Sequence, residues 1–326
     1  VSGAPVSGAP VSGAPVTVAV VSWNTRELLE RCLASLAPEV AAGRAAVWVV
    51  DNGSSDGSAA AARRAAPWAQ VVEAPGNLGF GTAVNLVAAR TASPWLLAAN
   101  ADVALRPGAL QALLDAGRGV DVGCVAPRLL LPGGATEHSV HPFPTLALSL
   151  AFNLGLHRLS PRVAERLCLE GRWDPSRPRR VPWAIGACLL LRRHAFDAAG
   201  GFDERQWMYA EDLDLAWRLR DLGFAVRFEP RALVDHQSGA ATAPAFGAGT
   251  RTRFMRETYR VLRRRRGPAT ALSVAALNVL GALLRLSWMV PAALILRRWR
   301  GPARDAGWWL VAHLRGLAAA ARGYTR

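Results

Sequence analysis

The chain has 326 residues, 51% of them apolar and 19% charged, with a mean hydropathy of +0.15. That balance excludes a wholly disordered protein, the lack of any G-X-Y period excludes collagen, and the length allows one large domain or two ordinary ones. Its 39 basic residues, all arginine, outnumber 24 acids, and its four scattered cysteines (Cys32, Cys124, Cys168, Cys188) form no C-x-x-C pair, which argues against a disulfide scaffold or structural zinc and for a reducing compartment.

VSGAP occurs three times in succession, ending at Pro15, and Gly, Pro and Ser at that density predict a flexible low-complexity tail over residues 1–15. The tail has no basic n-region followed by an apolar h-region, so it does not read as a secretory signal. Val16 to Ser22 is a short β-branched run, hence a buried strand. Thr25 can cap the helix that follows, in which Leu28, Leu29, Cys32, Leu33 and Leu36 recur at helical spacing. Ala46 to Val50 predicts a second buried strand running into the turn DNGSSDG at 51–57. An Ala/Arg-rich helix leads to a third strand, Gln70 to Glu73, and PGNLGFG at 75–81 opens a helix through Ala92. Trp95 to Ala99 is a fourth strand, ending at Asn100-Ala101-Asp102. This alternation predicts a doubly wound, mostly parallel α/β sheet with flanking helices, in which ligands bind beyond the carboxyl ends of the strands. Ser22, Asp51 and Asn100 all fall at those ends. Farther on, Val122 to Ala126, Ala184 to Leu191 and Phe224 to Phe228 read as strands and Glu211 to Leu222 as a helix, while 132–180 is rich in Pro and Arg with weak periodicity.

Charge divides the chain unevenly. Residues 1–250 hold 23 Arg against 22 acids, whereas 251–326 hold 16 Arg against Glu257 and Asp305. After Arg263-Arg264-Arg265-Arg266, the stretch Pro268 to Leu284 is uncharged, Arg285 interrupts, and Leu286 to Leu296 is uncharged again before Arg297, Arg298 and Arg300. A nucleic-acid arm has little use for two long apolar runs, whereas a membrane segment does, so the expected partner is an anionic membrane surface and not nucleic acid. About 20 apolar residues suffice to cross a bilayer. Against a crossing, Arg285 would cost roughly 2.5–3.5 kcal/mol at mid-bilayer, and arginine clusters flank both ends. An interfacial helix pair keeps every arginine at the headgroups and is the favoured expectation over a single span or a buried helical subdomain. Trp288, Trp299, Trp308 and Trp309 suit an interface.

Several constellations could carry chemistry. Asn100-Ala101-Asp102 sets a carboxylate just past a buried strand, where it could hold a hard divalent cation against a diphosphate; a turn-forming Asn and Asp is the plain alternative. Asp51 could accept hydrogen bonds from a base or ribose, or simply make the turn. The loop GNLGFG offers backbone amides but is not the G-x-G-x-x-G fingerprint. Trp207-Met208-Tyr209-Ala210-Glu211-Asp212-Leu213-Asp214 gathers three acids at a helix start, where the macrodipole alone would favour them. The helical step of about 100° puts Asp212 and Asp214 on nearly opposite faces, so at most one of them enters a pocket as a base. His236 follows another short apolar segment, and a lone histidine is more often structural than a ligand.

Taken in order, VVSWNTRELLERCLASL (20–36), VVDNGSSDGS (49–58), NLGFGTAVN (77–85), LLAANADV (96–103), GACLLLRRHAFDAAGGFDERQWMYAEDLDLAWRLRDLGF (186–224) and H-x-x-G at 236–239 resemble glycosyltransferase family 2, particularly its rhamnosyltransferase-like bacterial branch. The resemblance implies a GT-A fold over 16–250 and inverting transfer of a sugar from a nucleoside diphosphate donor to a saccharide or polyprenyl-linked acceptor, in cell-envelope polysaccharide synthesis. By the same resemblance, Ser22, Trp23, Asn24 and Asp51 would contact the nucleoside, and Asn77, Gly79 and Asn85 would help build the donor site. Asp102 matches the last acid of the family's D-x-D metal motif, whose first acid is Asn100 here, so the site has one fewer negative charge. His236 matches a histidine that can ligate the Mg²⁺ or Mn²⁺ in some members, and Asp212 matches the general base. dTDP-rhamnose is the donor expected from resemblance alone. The basic tail, 251–326, is expected to associate with the cytoplasmic face of the plasma membrane. Competing expectations are transfer to a polyprenyl phosphate, nucleotidyl transfer, and a noncatalytic protein gripping nucleic acid or anionic lipid.

Overall fold

The computed structural model describes residues 13–156, 160–238 and 250–322, which divide into two compact units. The tail expected over 1–15 and Gly239 of the H-x-x-G motif fall largely or wholly outside the described residues. In chain order, β1 (Val16–Ser22), α1 (Arg26–Ala41), β2 (Ala45–Asp51), α2 (Ser58–Ala65), β3 (Gln70–Glu73), α3 (Phe80–Ala88) and β4 (Trp95–Asn100) alternate as the apolar pattern predicts. Then come β5 (Val103–Leu105), α4 (Ala109–Ala116), β6 (Val122–Leu130) and β7 (Val140–His141). α5 (Leu146–Asn153) and α6 (Pro161–Arg166) belong to the second unit. The first unit resumes with β8 (Arg179–Val181), β9 (Trp183–Ala184), β10 (Cys188–Arg192), α7 (Arg193–Ala198), α8 (Glu211–Asp221) and β11 (Ala225–His236). The second unit closes with α9 (Thr250–Arg266), α10 (Pro268–Ile295), a 3₁₀ turn at Arg297–Trp299 and α11 (Arg300–Arg322).

The main sheet runs β3-β2-β1-β4-β10-β6-β11-β5, with β8 also on β11. β3, β2, β1 and β4 are parallel, as are β6 and β11, while β10 enters antiparallel between β4 and β6. Helices cover the sheet, so the parallel strands read as continuous apolar runs. On α1, Leu29, Cys32, Leu33 and Leu36 are wholly buried with Val18, Val20, Val47 and Val49 in one core, each leucine contributing about 1.5–3 kcal/mol by its removal from water. All four cysteines are buried free thiols; burial pushes Cys188 up to about 12, which leaves it unreactive at neutral pH.

Five local expectations are revised. Thr25 precedes α1 but does not cap it with its side chain; its hydroxyl meets Ser22 Oγ at 3.1 Å, and Asp56 from the neighbouring loop accepts the Arg26 N–H at 2.9 Å. The helix after the glycine loop ends at Ala88, not Ala92. The strand expected over 184–191 is broken, because Ile185 N–H bonds Ser139 O and Gly186 N–H bonds the Asp212 carboxylate instead of a ladder partner. β11 runs eight residues past Phe228 to His236, with its register on β6 shifting between Glu229 and Leu233, where Pro230 cannot donate. Finally, the boundary at 250 misses an earlier excursion, since 142–173 clusters with the C-terminal helices and not with the sheet.

In that second unit, a chain of polar side chains crosses four helices. Arg285 donates to Asn153 Oδ1 at 2.9 Å, Asn153 Nδ2 to Asn278 Oδ1 at 2.8 Å, and Asn278 Nδ2 to the Tyr259 hydroxyl at 3.0 Å. That hydroxyl meets His313 Nδ1 at 2.9 Å; burial, then the nearby Arg285, pulls His313 down to about 4, so it is neutral and accepts. Gly281 and Gly316 admit this chain, since a Cβ at either would lie 1.9 Å from Asn153 Oδ1 or 2.0 Å from the Tyr259 ring.

Candidate active site

Parallel pairing aligns the carboxyl ends of β1, β2 and β4: Ser22 lies opposite Asp51, and Val21 opposite Asn100. With strands about 4.8 Å apart, the backbones at Asp51 and Asn100 stand roughly 10 Å from one another, a span suited to an extended nucleotide. Ser22 is wholly buried and supports the chain through its carbonyl, which accepts the Asn52 N–H at 2.8 Å. Asn24 adopts φ +52° and staples two loops, donating its N–H to Ser54 Oγ and accepting the Ser55 N–H on Oδ1 at 2.8 Å. Trp23 stands half-buried beside it. Asp51 Oδ2 accepts the Ser54 N–H at 3.0 Å, whereas its Oδ1 is buried and has no hydrogen-bond partner among the described residues. The same is true of Asn52 Oδ1. A buried acceptor left unmade costs about 1–3 kcal/mol, so two side by side mark a place where a donor is missing.

The glycine loop forms one wall. Asn77 Oδ1 accepts the Gly79 N–H at 3.0 Å, and Asn77 O accepts the Trp207 indole N–H at 2.9 Å. Gly79 has φ +83°, and a Cβ there would stand 2.1 Å from Trp207 O, so only glycine fits both backbone and neighbour. Asn85 departs from expectation: Oδ1 accepts the Phe202 N–H and Nδ2 donates to Phe202 O and Glu204 Oε1. Its amide is thus occupied in holding the 201–204 turn and supports the wall from behind.

Beyond β4, antiparallel pairing of β5 with β11 sets Val103 opposite His236 and brings Asp102 alongside. His236 Nε2 lies 3.5 Å from Asp102 Oδ1, another buried oxygen without a formed hydrogen bond. On the other side, His236 Nδ1 meets Glu137 Oε2 at 2.6 Å. Burial pulls the imidazole down, but Asp102 and Glu137 outweigh it and raise it to about 9. The pair fits a divalent ion: adjacent ligands at 2.0–2.1 Å from an octahedral centre stand roughly 3 Å apart, and a carboxylate on the second ring nitrogen is the usual orienting partner of a ligating histidine. No group of three or more His, Cys, Asp or Glu side chains converges on one point among the described residues. Asn100 donates its N–H to Ala187 O at 2.9 Å and adds no charge.

Asp212 occupies the first turn of α8, behind Tyr209 and Ala210, both left-handed at φ +67° and +64°. Two consecutive non-glycine residues in that region store strain of roughly 1–3 kcal/mol each, as is common where a side chain must be aimed. Asp212 Oδ2 accepts the Gly186 N–H at 2.8 Å, and Oδ1 the Leu213 N–H at 2.7 Å. Burial raises this carboxyl, the backbone donors partly reverse the effect, and it settles at about 6. Asp214, wholly buried, pairs with Arg218 at 2.9 Å, which also binds Gly201 O. Asp214 is therefore committed to packing, whereas Asp212 is held by two backbone donors with its carboxyl raised above the usual range. Trp207 and Gly186 stand in motifs noted from the sequence but were given no role there, and Glu137 escaped it, lying in the stretch without periodicity between β6 and β7.

The chain matches the family model for glycosyl transferase family 2 over residues 17–198. It is 37% identical over 246 residues to the N-acetylglucosaminyl-diphospho-decaprenol L-rhamnosyltransferase of Mycobacterium tuberculosis, covering 69% of this chain and 76% of that one. It is 28% identical over 131 residues to the rhamnosyltransferase WbbL of Escherichia coli, covering 40% and 46%. In fold it is similar to a mannosyltransferase from Pyrobaculum calidifontis solved with GDP-Man and Mn²⁺, at a TM-score of 0.58 and 17% identity over 96% of this chain and 90% of that one. The match over more than half of its length, joined to the strand-end geometry, establishes that this chain belongs to glycosyl transferase family 2 and is a nucleotide-sugar glycosyltransferase.

Proposed function

We propose that this glycosyltransferase moves rhamnose from dTDP-rhamnose to a saccharide carried on a polyprenyl diphosphate, with inversion, at the cytoplasmic face of the membrane. The observation that carries the reading is the row of buried, unmatched oxygens along the strand ends: Asp51 and Asn52 at one end, Asp102 beside His236 at the other. The first pair suits the donors of a base or ribose, and the second suits a cation on the diphosphate. The mycobacterial relative, named for a decaprenol-linked acceptor and rhamnose, supports the choice of substrates.

Asp212 would accept the proton of the acceptor hydroxyl as its oxygen attacks the anomeric carbon and the bond to the diphosphate breaks on the opposite face. A carboxyl near 6 is largely ionised at neutral pH yet more basic than an ordinary aspartate, which suits a general base. Gly186 and Leu213 N–H groups fix its orientation. Asp102 and His236 would hold Mg²⁺ or Mn²⁺, whose charge stabilises the departing diphosphate. Glu137 would set the His236 ring so that Nε2 faces that ion. With Asn100 in place of a second acid, the ion should bind well only together with the nucleotide.

Calorimetric titration with dTDP, UDP and GDP, each with and without Mn²⁺, tests this reading. Tightest, metal-dependent binding of dTDP is expected; equal affinity for all three, or none, would overturn the donor assignment.

A further inference from the structure

We infer that the excursion at 142–156 is a second lipid-contacting element, lying with α10 in the headgroup boundary of an anionic bilayer. The inference rests on the membrane-surface reading above and extends it to a segment far from the basic tail in sequence.

Residues 142–156 contain no charged side chain, yet Leu146, Leu150, Phe152, Leu154 and Leu156 are all exposed, Leu154 by 63%. α10 likewise exposes Leu283, Leu284, Trp288, Leu294 and Ile295, the last by 82%. Within the second unit α5 packs on α10, and the polar groups of both are spent on each other: Asn153 bonds Asn278 and Arg285, and Gly281 leaves the space for it. Arg285 therefore does not oppose lipid contact, because its guanidinium is held by α5 and lies over the Phe152 ring, 6.0 Å from its centroid.

Charge identifies what covers the face. Arg297, Arg298, Arg300 and Arg304 follow Leu296 and are exposed, and Trp288 and Trp299 pack edge-to-face at 4.9 Å where the apolar surface meets the basic one. An apolar face with an aromatic and arginine margin complements anionic headgroups over acyl chains. α10 is long and apolar enough to cross a membrane, but α11 packs along it bearing exposed Arg304, Asp305 and Arg315, which could not follow it into hydrocarbon. The helices accordingly lie in the plane of the interface.

The test uses the full chain with vesicles of phosphatidylcholine, with or without a quarter of phosphatidylglycerol. Hydrogen–deuterium exchange should slow at 146–156 and at 280–300 on the anionic vesicles; protection confined to 280–300 would overturn the inference. Leu150→Asp/Leu154→Asp should weaken co-flotation at least tenfold. Arg297→Glu/Arg298→Glu should weaken it about fivefold per arginine, and only on anionic vesicles. Nucleotide binding by the first variant reports separately on the catalytic reading. If the leucine variant turns a dimer into a monomer and floats normally, the face joins two copies and the inference fails.

Discussion

The two units solve opposite problems with polar groups. In the sheet unit, a mostly apolar core admits paired groups such as Asp214 with Arg218, yet Asp51, Asn52 and Asp102 keep buried oxygens without a hydrogen bond at the strand ends. In the helical unit, Asn153, Asn278, Tyr259 and His313 satisfy one another inside while leucines and tryptophans face outward. Unmatched polar atoms inside one unit point to a polar ligand, and unmatched apolar atoms outside the other point to an apolar phase. The contrast teaches that a site is legible as a deficit, and the sign of the deficit names the chemistry that fills it.

The sharpest way to break the comparison is Asp212→Asn. It should lower turnover by about 10²–10⁴-fold while leaving nucleotide affinity unchanged. Its melting temperature should lose the wild type's decline as pH rises through about 6. The sign follows from linkage: the folded carboxyl titrates near 6, above its unfolded value of 3.8, so the folded state binds the proton more tightly. Stability from this group is therefore present at low pH and lost as pH rises through about 6, a dependence that an amide, which does not titrate, removes. Wild-type turnover should correspondingly fall as pH drops below about 6, read from a pH–rate profile.

Glu137→Gln sharpens the polar side of the contrast. It should weaken Mn²⁺ binding in the presence of nucleotide by about 10–100-fold, measured by calorimetry, with nucleotide affinity in the absence of metal unchanged. Gly79→Ala should lower both stability and nucleotide binding, because the new Cβ meets Trp207 O and the backbone resists φ +83°; about 1–3 kcal/mol in urea denaturation is expected. The smallest effect belongs to the helical unit. Asn153→Ala removes partners of Asn278 and Arg285 and should cost about 1–2 kcal/mol without changing turnover on soluble acceptors.

Much of the catalytic unit was legible from residues alone. β1, β2 and β3 follow valine-rich runs and β4 the apolar run WLLAA, and their ends carry Ser22, Asp51 and Asn100 where the alternation predicts them. The helical step admitted at most one of Asp212 and Asp214 to a pocket, the resemblance pointed to Asp212, and the structure confines Asp214 against Arg218. The bracing contacts of Asn85 were not legible, because a polar residue next to a ligand loop reads the same whether it faces the ligand or braces the loop. Glu137 was invisible, since a carboxylate after a Pro-Gly-Gly turn gains meaning only from a histidine 99 residues away.

Order and chemistry along the chain thus determined the α/β alternation, the strand-end acids and the basic, apolar C-terminal quarter, because each is a short-range pattern of side-chain type. Only tertiary structure decided that Asp102, His236 and Glu137 adjoin, that Gly186 steadies Asp212, and that 142–156 leaves the sheet for the helices. Those facts depend on strand pairing and packing between residues far apart in sequence, where no local periodicity records the partner.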